Sequence, residues 1–389
     1  MRITMLLHKS VVFDSRVRRE AQALAAAGHE VCVVELAAVA PDQVTLDGFT
    51  RRSCLPPAWM RRRLPFGLYR LAFLVTFVRA AVATRPDVVH AHDAAMLAPG
   101  IAAARLAGAR LVYDSHELAT SVPYRERAWA WFVAAIERAV VPRCAAVITV
   151  SDGIAARLAE RYRLGATPTV VRNVSALTFG GEGGLRRRLG LDAAAPLVLH
   201  QGAPAPDRGC ETLVAAVARR PGVALAFLGD PEPGYAQRLA AEIAAAGVAD
   251  RVWTLPSVAL TELLANTAEA DVGVTVLADT CENHRLALPN KLFEYIAAGV
   301  PVIASALPET ERLVSAYGVG WCVRPDDPEA LAAAIDAALA ARGDEALSRR
   351  LAHAGSELRW ERERERLTGL YDELGGAWPA VSRRARRPA

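Results

Sequence analysis

Lys291 lies in the segment LPNKLFEYIAAGVPVIAS, residues 288–305, and is one of two lysines among the 46 lysines and arginines of the chain. Pro289 suits the first position of a helix, and Gly299 followed by Pro301 suits its end. The helix macrodipole disfavours a cation in the first turn by about 0.3–1 kcal/mol, unless an anion binds there. The segment therefore predicts a phosphate site or, as the alternative, a weak surface pair between Lys291 and Glu294.

A second cationic helix start precedes the first in the chain. The segment HQGAPAPDRGCETLVAAVA, residues 200–218, reads as a strand, a glycine loop at Gly202 and a helix that begins beside Arg208. Two such starts in one half of the chain predict a diphosphate site. The strand-end turns at Gly229 and at residues 256–258 offer backbone groups to a nucleotide base.

The elements that must position these residues follow from the alternation of short β-branched runs with longer helical runs. This alternation predicts an α/β fold with parallel sheets, and 389 residues favour two domains. We place a boundary at residues 173–191, with the glycine cluster 180–184 as a hinge. The predicted organisation is a first Rossmann-like domain at 1–175, a second at 190–365, and a closing helix end with a basic tail at 366–389. Two helices are expected to close the chain.

Open parallel sheets bind ligands beyond the carboxyl ends of their strands, so the polar residues that follow strands are candidates. In the first half these include the segments HAHD, residues 90–93, and DSHE, residues 114–117. We expect His90 and His92 to point to opposite faces, with His90 packed in the core and His92 facing a cleft.

Composition and missing motifs exclude several classes of protein. Six cysteines without a C-x-x-C pair indicate reduced, buried thiols, and the net charge of +4 with scattered arginines gives no support for nucleic-acid binding. The glycine-rich dinucleotide fingerprint, the P-loop and the common hydrolase signatures are missing. No signal peptide or membrane span is recognised, so a cytoplasmic protein is expected. The arginine-rich, lysine-poor composition is typical of a GC-rich bacterial genome.

An arginine-rich stretch precedes an apolar helix in the first half. Arg51, Arg52 and residues 61–63 lie close in sequence to Trp59 and to the helix predicted from Phe66. This composition is typical of a helix on a membrane surface, here the inner face of the cell membrane, but the alternative of a core helix after a solvated loop is slightly favoured.

Several segments together resemble the family 4 glycosyltransferases, and they span nearly the whole chain. They are DSRVRREAQALAAAGHEV, DVVHAHD, LVYDSHEL, VITVSDGIAARL, VVRNV, QGAPAPDRGCETL, ALPNKLFEYIAAGVPVIAS and GVGWCVRPDDPEALAAAI. The resemblance implies a GT-B fold, in which two Rossmann-like doubly wound domains face each other across a cleft.

The resemblance also implies roles for individual residues. Arg208 and Lys291 would hold the diphosphate, Glu294 the ribose, and His92 would lie close to the reacting sugar. The acceptor side would comprise Asp14, Arg16, His116 and Glu117. The complete donor site implied is Gly202, Arg208, Gly229, Ser257, Val258, Leu288, Pro289, Asn290, Lys291, Leu292 and Glu294.

The implied reaction is sugar transfer from a nucleoside diphosphate sugar, with UDP favoured, to an acceptor hydroxyl with retention of configuration. It implies no metal and no cofactor besides the donor; the acceptor, a glycan, a lipid-linked sugar or a small molecule, stays open. Two departures from the family pattern are Leu286, in place of a glutamate, and Ala203, in place of an arginine. The sugar contact of the missing glutamate would come from Glu282, Asn283 or His284. The alternatives are a nucleotide-sugar epimerase of the same architecture and a non-catalytic binding protein.

Overall fold

The computed structural model describes residues 1–37, 43–44, 47–55, 65–121 and 127–376. The chain divides into two compact units. Unit 1 comprises Met1–Arg172 and the C-terminal segment that starts at Glu363, and unit 2 comprises Asn173–Arg362.

Unit 1 is built on an eight-stranded sheet in the order β3-β4-β2-β1-β5-β6-β7-β8. All its neighbouring strands pair in parallel except β3 and β4. In chain order the strands are β1 (Arg2–Leu7), β2 (Glu30–Glu35), β3 (Gln43–Val44), β4 (Thr50–Ser53), β5 (Val88–His92), β6 (Arg110–Ser115), β7 (Ala146–Thr149) and β8 (Thr169–Val170).

The helices of unit 1 connect these strands as crossovers, as parallel pairing requires. Helix α1 starts where the Asp14 carboxylate accepts a hydrogen bond from the Val17 N–H at 3.1 Å. The described helices up to residue 172 are α1 (Ser15–Ala26), α2 (Phe66–Ala83), α3 (Leu97–Ala107), α4 (Arg127–Val140) and α5 (Asp152–Tyr162).

Unit 2 is built on a six-stranded sheet, entirely parallel, in the order β11-β10-β9-β12-β13-β14. Its strands are β9 (Leu197–Gln201), β10 (Ala224–Leu228), β11 (Val252–Leu255), β12 (Val272–Thr275), β13 (Val302–Ser305) and β14 (Gly320–Val323). Two hydrophobic clusters cover its two faces, as a doubly wound sheet demands.

The described helices from residue 173 onward continue the numbering. They are α6 (Leu185–Leu189), α7 (Cys210–Ala218), α8 (Tyr235–Ala245), α9 (Leu260–Thr267), α10 (Glu282–Leu286), α11 (Asn290–Ala297), α12 (Pro308–Tyr317), α13 (Pro328–Ala340), α14 (Glu345–Glu357) and α15 (Trp360–Gly376).

The predicted fold class, two Rossmann-like doubly wound parallel-sheet domains, is confirmed. The glycine cluster 180–184 lies inside unit 2, which begins at Asn173, and a Cβ added to Gly183 would stand 2.3 Å from Glu269 Oε1. The hinge role of this cluster stays a prediction. One detail differs from the sequence predictions. Three helices follow Asp327, where two were predicted. The helical conformation is interrupted between Ala340 and Glu345 and again between Glu357 and Trp360.

The apolar helix α2 is short for a membrane span. Within the described residues, no helix combines the length and the apolar character needed to cross a bilayer. The cytoplasmic location stays a prediction.

Candidate active site

Each sheet has a topological switch point, where the strand order reverses direction. In unit 1 it lies between β1 and β5, and in unit 2 between β9 and β12. Loops on the two sides of such a point separate and leave a crevice at the carboxyl ends of the strands. The candidate residues of unit 2 surround a cavity at such a place.

The cavity of unit 2 has a volume of about 470 Å³, a size typical of ligand sites. Nine of the eleven predicted donor-site residues line it. The complete lining is Gln201, Gly202, Arg208, Leu228, Gly229, Ser257, Val258, Leu260, Leu263, Pro289, Asn290, Lys291 and Glu294.

Lys291 is buried in the wall of this cavity, with 9% of its surface exposed. Its Nζ lies 2.9 Å from Nε2 of His200, a buried residue of β9. Burial and the nearby Arg208 lower the pKa of Lys291 to about 7. Burial, Lys291 and Arg208 also hold the pKa of His200 well below its usual value, so this ring is a neutral acceptor at pH 7. The alternative of a surface Lys291–Glu294 pair is wrong, because the lysine points inward.

Two helices begin at the cavity without a side-chain cap. Helix α7 starts after Gly209 and helix α11 after Pro289, and in neither does a side chain accept from the first-turn N–H groups. Pro289 is the N-cap of α11, one position before the helical position predicted for it. Uncapped first-turn N–H groups and the positive end of the macrodipole are what a phosphate binds.

Glycines bring the backbone loops close together at the same place. Gly229 has φ of +151°, and a Cβ built on it would stand 2.6 Å from the carbonyl carbon of Gly202. A Cβ on Gly209 would meet Val276 Cγ1 at 2.6 Å. Only glycine therefore permits this approach of the loops that follow β9, β10 and β12.

Glu294 is held by two partners that sequence reasoning missed. Its carboxylate accepts hydrogen bonds from Ser175 Oγ at 2.6 Å and from the Gln201 side-chain amide. Gln201 is fixed in turn by Thr267 Oγ1, which donates to its Oε1 at 2.6 Å. Gln201 stands directly before the glycine loop, and that position was the available signal. The carboxylate is thereby oriented and can still accept from a ligand hydroxyl.

The remaining donor-site predictions divide between cavity and core. Ser257 lines the cavity, and its Oγ donates to Asp230 Oδ2 at 2.6 Å. The Asp230 carboxylate, which is not among the predicted site residues, therefore lies at the rim of the cavity. Leu288 and Leu292 are 6% and 0% exposed and pack in the hydrophobic core instead of lining the cavity. Their side chains support the start of α11.

Unit 1 carries a separate polar cluster at the carboxyl ends of β5 and β6. His92 Nδ1 lies 3.2 Å from both Asp114 Oδ2 and His116 Nε2, and His116 Nε2 lies 2.9 Å from the same Asp114 oxygen. His116 Nδ1 lies 3.4 Å from Asp93. Burial opposes protonation of His116, but Asp93 and Asp114 overcome it and raise its pKa to about 9. His116 is therefore an imidazolium at pH 7.

The prediction that His90 and His92 point to opposite faces is wrong. Residues two apart in a strand share a face, and the two rings stack with centroids 4.1 Å apart. Both side chains are fully buried. His90 Nδ1 shares a hydrogen bond of 2.9 Å with the Tyr371 hydroxyl, so its predicted role in packing agrees with its surroundings. His92 is equally buried, and the partly exposed members of the cluster are Asp93 and His116.

The other predicted acceptor-side residues have mostly structural contacts. Arg16 is buried, makes two hydrogen bonds to Asp114 at 2.9 and 2.8 Å, and donates to the Val171 carbonyl at 2.7 Å. Asp14 caps α1 and pairs with Lys9 Nζ at 2.9 Å. Glu117 is half-buried, and its carbonyl accepts from Ser115 Oγ.

Among the described residues, one group of side chains has the spacing of metal ligands. It comprises Glu20, His90, His92 and Asp114, whose ligand atoms lie within 4.8 Å of one another. Arg16 already contacts both Asp114 oxygens and lies 3.0 Å from Glu20 Oε1. A guanidinium thus supplies the positive charge, and the arrangement fits a buried ion-pair cluster better than a cation site.

The predicted basic patch is only partly described. Residues 59 and 61–63 lie outside the described part of the chain, and the side chain of Phe66 does too. Arg51 is described and pairs with the buried Glu35 at 2.6 Å. The membrane-surface prediction for this patch stays a prediction.

Fold and site together define a GT-B-type protein with a cavity of about 470 Å³ in its second unit. The profile "Glycosyltransferase Family 4" matches residues 15–174, and the profile "Glycosyl transferases group 1" matches residues 195–341. The chain belongs to the family 4 glycosyltransferases with the GT-B architecture.

Two curated relatives are similar over about half of the chain. A D-inositol 3-phosphate glycosyltransferase of Geodermatophilus obscurus is 30% identical over 222 residues, 54% of this chain and 47% of the relative. The lipopolysaccharide core biosynthesis glycosyltransferase LpsE of Rhizobium meliloti is 32% identical over 203 residues, 50% of this chain and 54% of the relative. The chain thus spans about half the length of these relatives.

Solved structures are similar over nearly the whole chain. A sucrose-phosphate synthase from Thermosynechococcus elongatus matches with a TM-score of 0.76 at 23% identity, over 97% of this chain and 100% of the other. Anabaena Alr3699/HepE in complex with UDP matches with a TM-score of 0.72 at 18% identity, over 96% and 100%. At these identities the likeness shows the fold.

Proposed function

We propose that the protein transfers a sugar from a UDP-sugar to an acceptor hydroxyl with retention of configuration. The observation that carries the proposal is the cavity of unit 2. Two cationic side chains, Lys291 and Arg208, meet two uncapped helix starts there, beside an oriented carboxylate at Glu294. UDP is the favoured nucleotide, and one structural neighbour was solved with UDP bound.

Each part of the cavity has a role in the proposed reaction. Lys291 and Arg208 bind the diphosphate and stabilise the charge that develops on it as the bond from the sugar anomeric carbon to the β-phosphate oxygen breaks. Glu294 accepts from the ribose hydroxyls. The acceptor oxygen bonds to the anomeric carbon on the face that the diphosphate leaves, and its proton passes to a phosphate oxygen. The chain's own residues thus act by binding and charge stabilisation.

Calorimetry of UDP binding to the full chain tests the donor site. Lys291→Ala and Arg208→Ala should each weaken binding at least tenfold, about 1.4 kcal/mol, because hydrogen bonds to charged groups are lost. Arg349→Ala removes the same charge from an exposed helix position in unit 2 and should bind UDP normally. Equal affinity in all three variants would place the nucleotide elsewhere.

Product analysis tests the reaction itself. NMR of the product should show the anomeric configuration of the donor. Inversion would contradict the proposed stereochemistry, and epimerisation of a UDP-sugar without any acceptor would favour the epimerase alternative.

A further inference from the structure

A second cavity lies in unit 1, and it is lined by residues of neither the donor site nor the polar cluster. It has a volume of about 510 Å³ and lies among helices α2, α3 and α4. Its wall is formed by apolar side chains such as Leu71, Phe73, Ala98, Phe132 and Ile136, with Arg70 as the one charged residue among them. A cavity of this size and character matches the apolar part of a small-molecule site.

The surface around this cavity is also apolar. Leu68, Leu71 and Val75 of α2 are 53%, 54% and 45% exposed, and Trp131 and Phe132 of α4 are 79% and 44% exposed. Contiguous apolar exposure on this scale marks an interaction site. Tryptophan at such a surface is typical of the boundary between membrane and water.

One charged side chain, that of Arg70, lies in the wall of the cavity. The Arg70 guanidinium lies over the Phe132 ring, 4.6 Å from its centroid. Three consecutive arginines, residues 61–63, precede α2 in the sequence. An apolar surface with an arginine in its wall complements an anionic lipid surface.

Residues that line the cavity directly follow a residue of the polar cluster in the sequence of unit 1. Asp93, which lies 3.4 Å from His116, has φ of +61° and turns the chain out of β5. The next residues, Ala94 and Ala95, line the cavity. A molecule with a polar end at His116 and an apolar end among α2, α3 and α4 would therefore span neighbouring sites of one unit.

We propose that this cavity binds the hydrocarbon chain of a lipid acceptor presented by a membrane. The polar group that receives the sugar lies toward Asp93 and His116, and the hydrocarbon chain of the lipid lies among α2, α3 and α4. The acceptor role of the lipid rests on the proposed function, whereas binding of a hydrocarbon chain to the cavity can be measured without any sugar transfer.

Fluorescence titration of the full-length protein with 11-(dansylamino)undecanoic acid tests the cavity. We expect one probe per chain, displaced by 1-alkanols with an affinity that rises about fourfold per methylene until the cavity is full. Leu71→Glu places a charge in the wall and Ala98→Trp fills the space, so both should weaken probe binding at least tenfold. Leu106→Glu is the matched control, because Leu106 of α3 is 71% exposed but lies outside both the lining and the apolar surface described above.

Three outcomes would overturn the inference. The probe could fail to bind at saturation, it could bind all variants equally, or Leu71→Glu could convert a dimer to a monomer in sedimentation, which would assign the surface to a second copy of the chain. UDP calorimetry on the same proteins separates the two proposals. If the unaltered protein does not bind UDP, the donor proposal is wrong, but the result of the probe titration is not affected.

Partition of the product tests the acceptor role. With a labelled UDP-sugar and extracted bacterial lipids, transfer should place the label in the organic phase, and Leu71→Glu should lower that transfer at least tenfold relative to Leu106→Glu. Label recovered only in water would assign a water-soluble acceptor and overturn the inference.

Discussion

Lys291 carries its charge where its surroundings oppose it. Its near neighbours are the neutral His200 ring at 2.9 Å and the cationic Arg208, and burial removes water from its ammonium group. A diphosphate would reverse this balance, because two negative groups would face two cations in a cavity of low polarity. The lysine is therefore better suited to the bound state than to the free protein.

We expect Lys291→Met to raise stability and lower UDP affinity. Methionine has nearly the length of lysine, and it removes a buried cation that the free protein solvates poorly. The melting temperature at pH 7 without ligand should rise, whereas UDP should bind at least tenfold more weakly. Lys291→Arg should also lower kcat/KM at least tenfold, because a planar guanidinium does not fit the space of an ammonium beside His200. A Met variant that is less stable and binds UDP normally would contradict this account.

The lowered pKa of Lys291 predicts a pH dependence of UDP binding. Between about pH 7 and the ordinary lysine value of 10.5, the free folded protein holds fewer protons at this site than the unfolded chain, so its stability from this group rises with pH. UDP requires the ammonium form, so binding in that window takes up a proton and weakens as pH increases. Calorimetry at pH 7 and 9 in two buffers of different ionisation enthalpy measures the uptake. Lys291→Met should show no uptake, and equal uptake in both proteins would assign the proton to another group.

His92 should affect turnover more than donor binding. It lies in unit 1, 3.2 Å from both Asp114 and His116, and its loss should release the His116 imidazolium from its position. We expect His92→Ala to lower kcat at least tenfold with unchanged UDP affinity, and His92→Asn to recover part of the loss through a retained hydrogen bond. An unchanged kcat in a folded His92→Ala protein would limit this residue to packing.

At the scale of single elements, the loops after β9 and β10 depend on glycine. Gly229→Ala should push these loops apart and lower both the melting temperature and UDP affinity, because the new Cβ would stand 2.6 Å from the Gly202 backbone. Gly247→Ala is the control. Gly247 has φ of +67° and nothing within 4 Å of its Cβ, so it should cost only the backbone strain of about 1–2 kcal/mol. Equal effects of the two substitutions would show that close approach is unimportant.

Sequence patterns predict the helices and strands of this fold because hydrophobic periodicity, and the residues that start and end each element, are local features of the sequence. The strand ends, the helix start at Lys291 and the glycine loop at Gly202 all follow from neighbouring residues. Contacts between distant segments do not, and therefore the Lys291–His200 pair and the Gln201–Glu294 hydrogen bond were missed. The error at His90 and His92 has a different cause, since the two-residue period of a strand already places both side chains on one face.

At the scale of the whole molecule, unit 1 is completed by residues far along the chain. Tyr371 of α15 is fully buried and its hydroxyl is hydrogen-bonded to His90, and Glu363 accepts from the Arg172 N–H at 2.9 Å. The Leu374 carbonyl accepts from Arg110 at 2.6 Å. No local signal in the sequence predicts this return, because α15 has the same period as any other amphipathic helix.

We expect Tyr371→Ala to destabilise unit 1 by about 3–5 kcal/mol, as large-to-small changes of buried aromatic residues do. UDP affinity at low temperature should be retained, since the donor cavity lies in unit 2. Arg364→Ala, a change at an exposed position of the same helix, should leave the melting curve unchanged. A melting temperature unaffected by Tyr371→Ala would show that the C-terminal segment is not part of the fold of unit 1.

The return of α15 to unit 1 also sets an order of events during synthesis. A ribosome releases residues 1–172 long before Tyr371, and unit 2 is translated in between. Domains generally fold as units while the chain emerges, at about 5–20 residues per second. The nascent first unit must therefore wait through the translation of unit 2 with His90 lacking its hydroxyl partner. The part of the protein that is made first is the part that matures last.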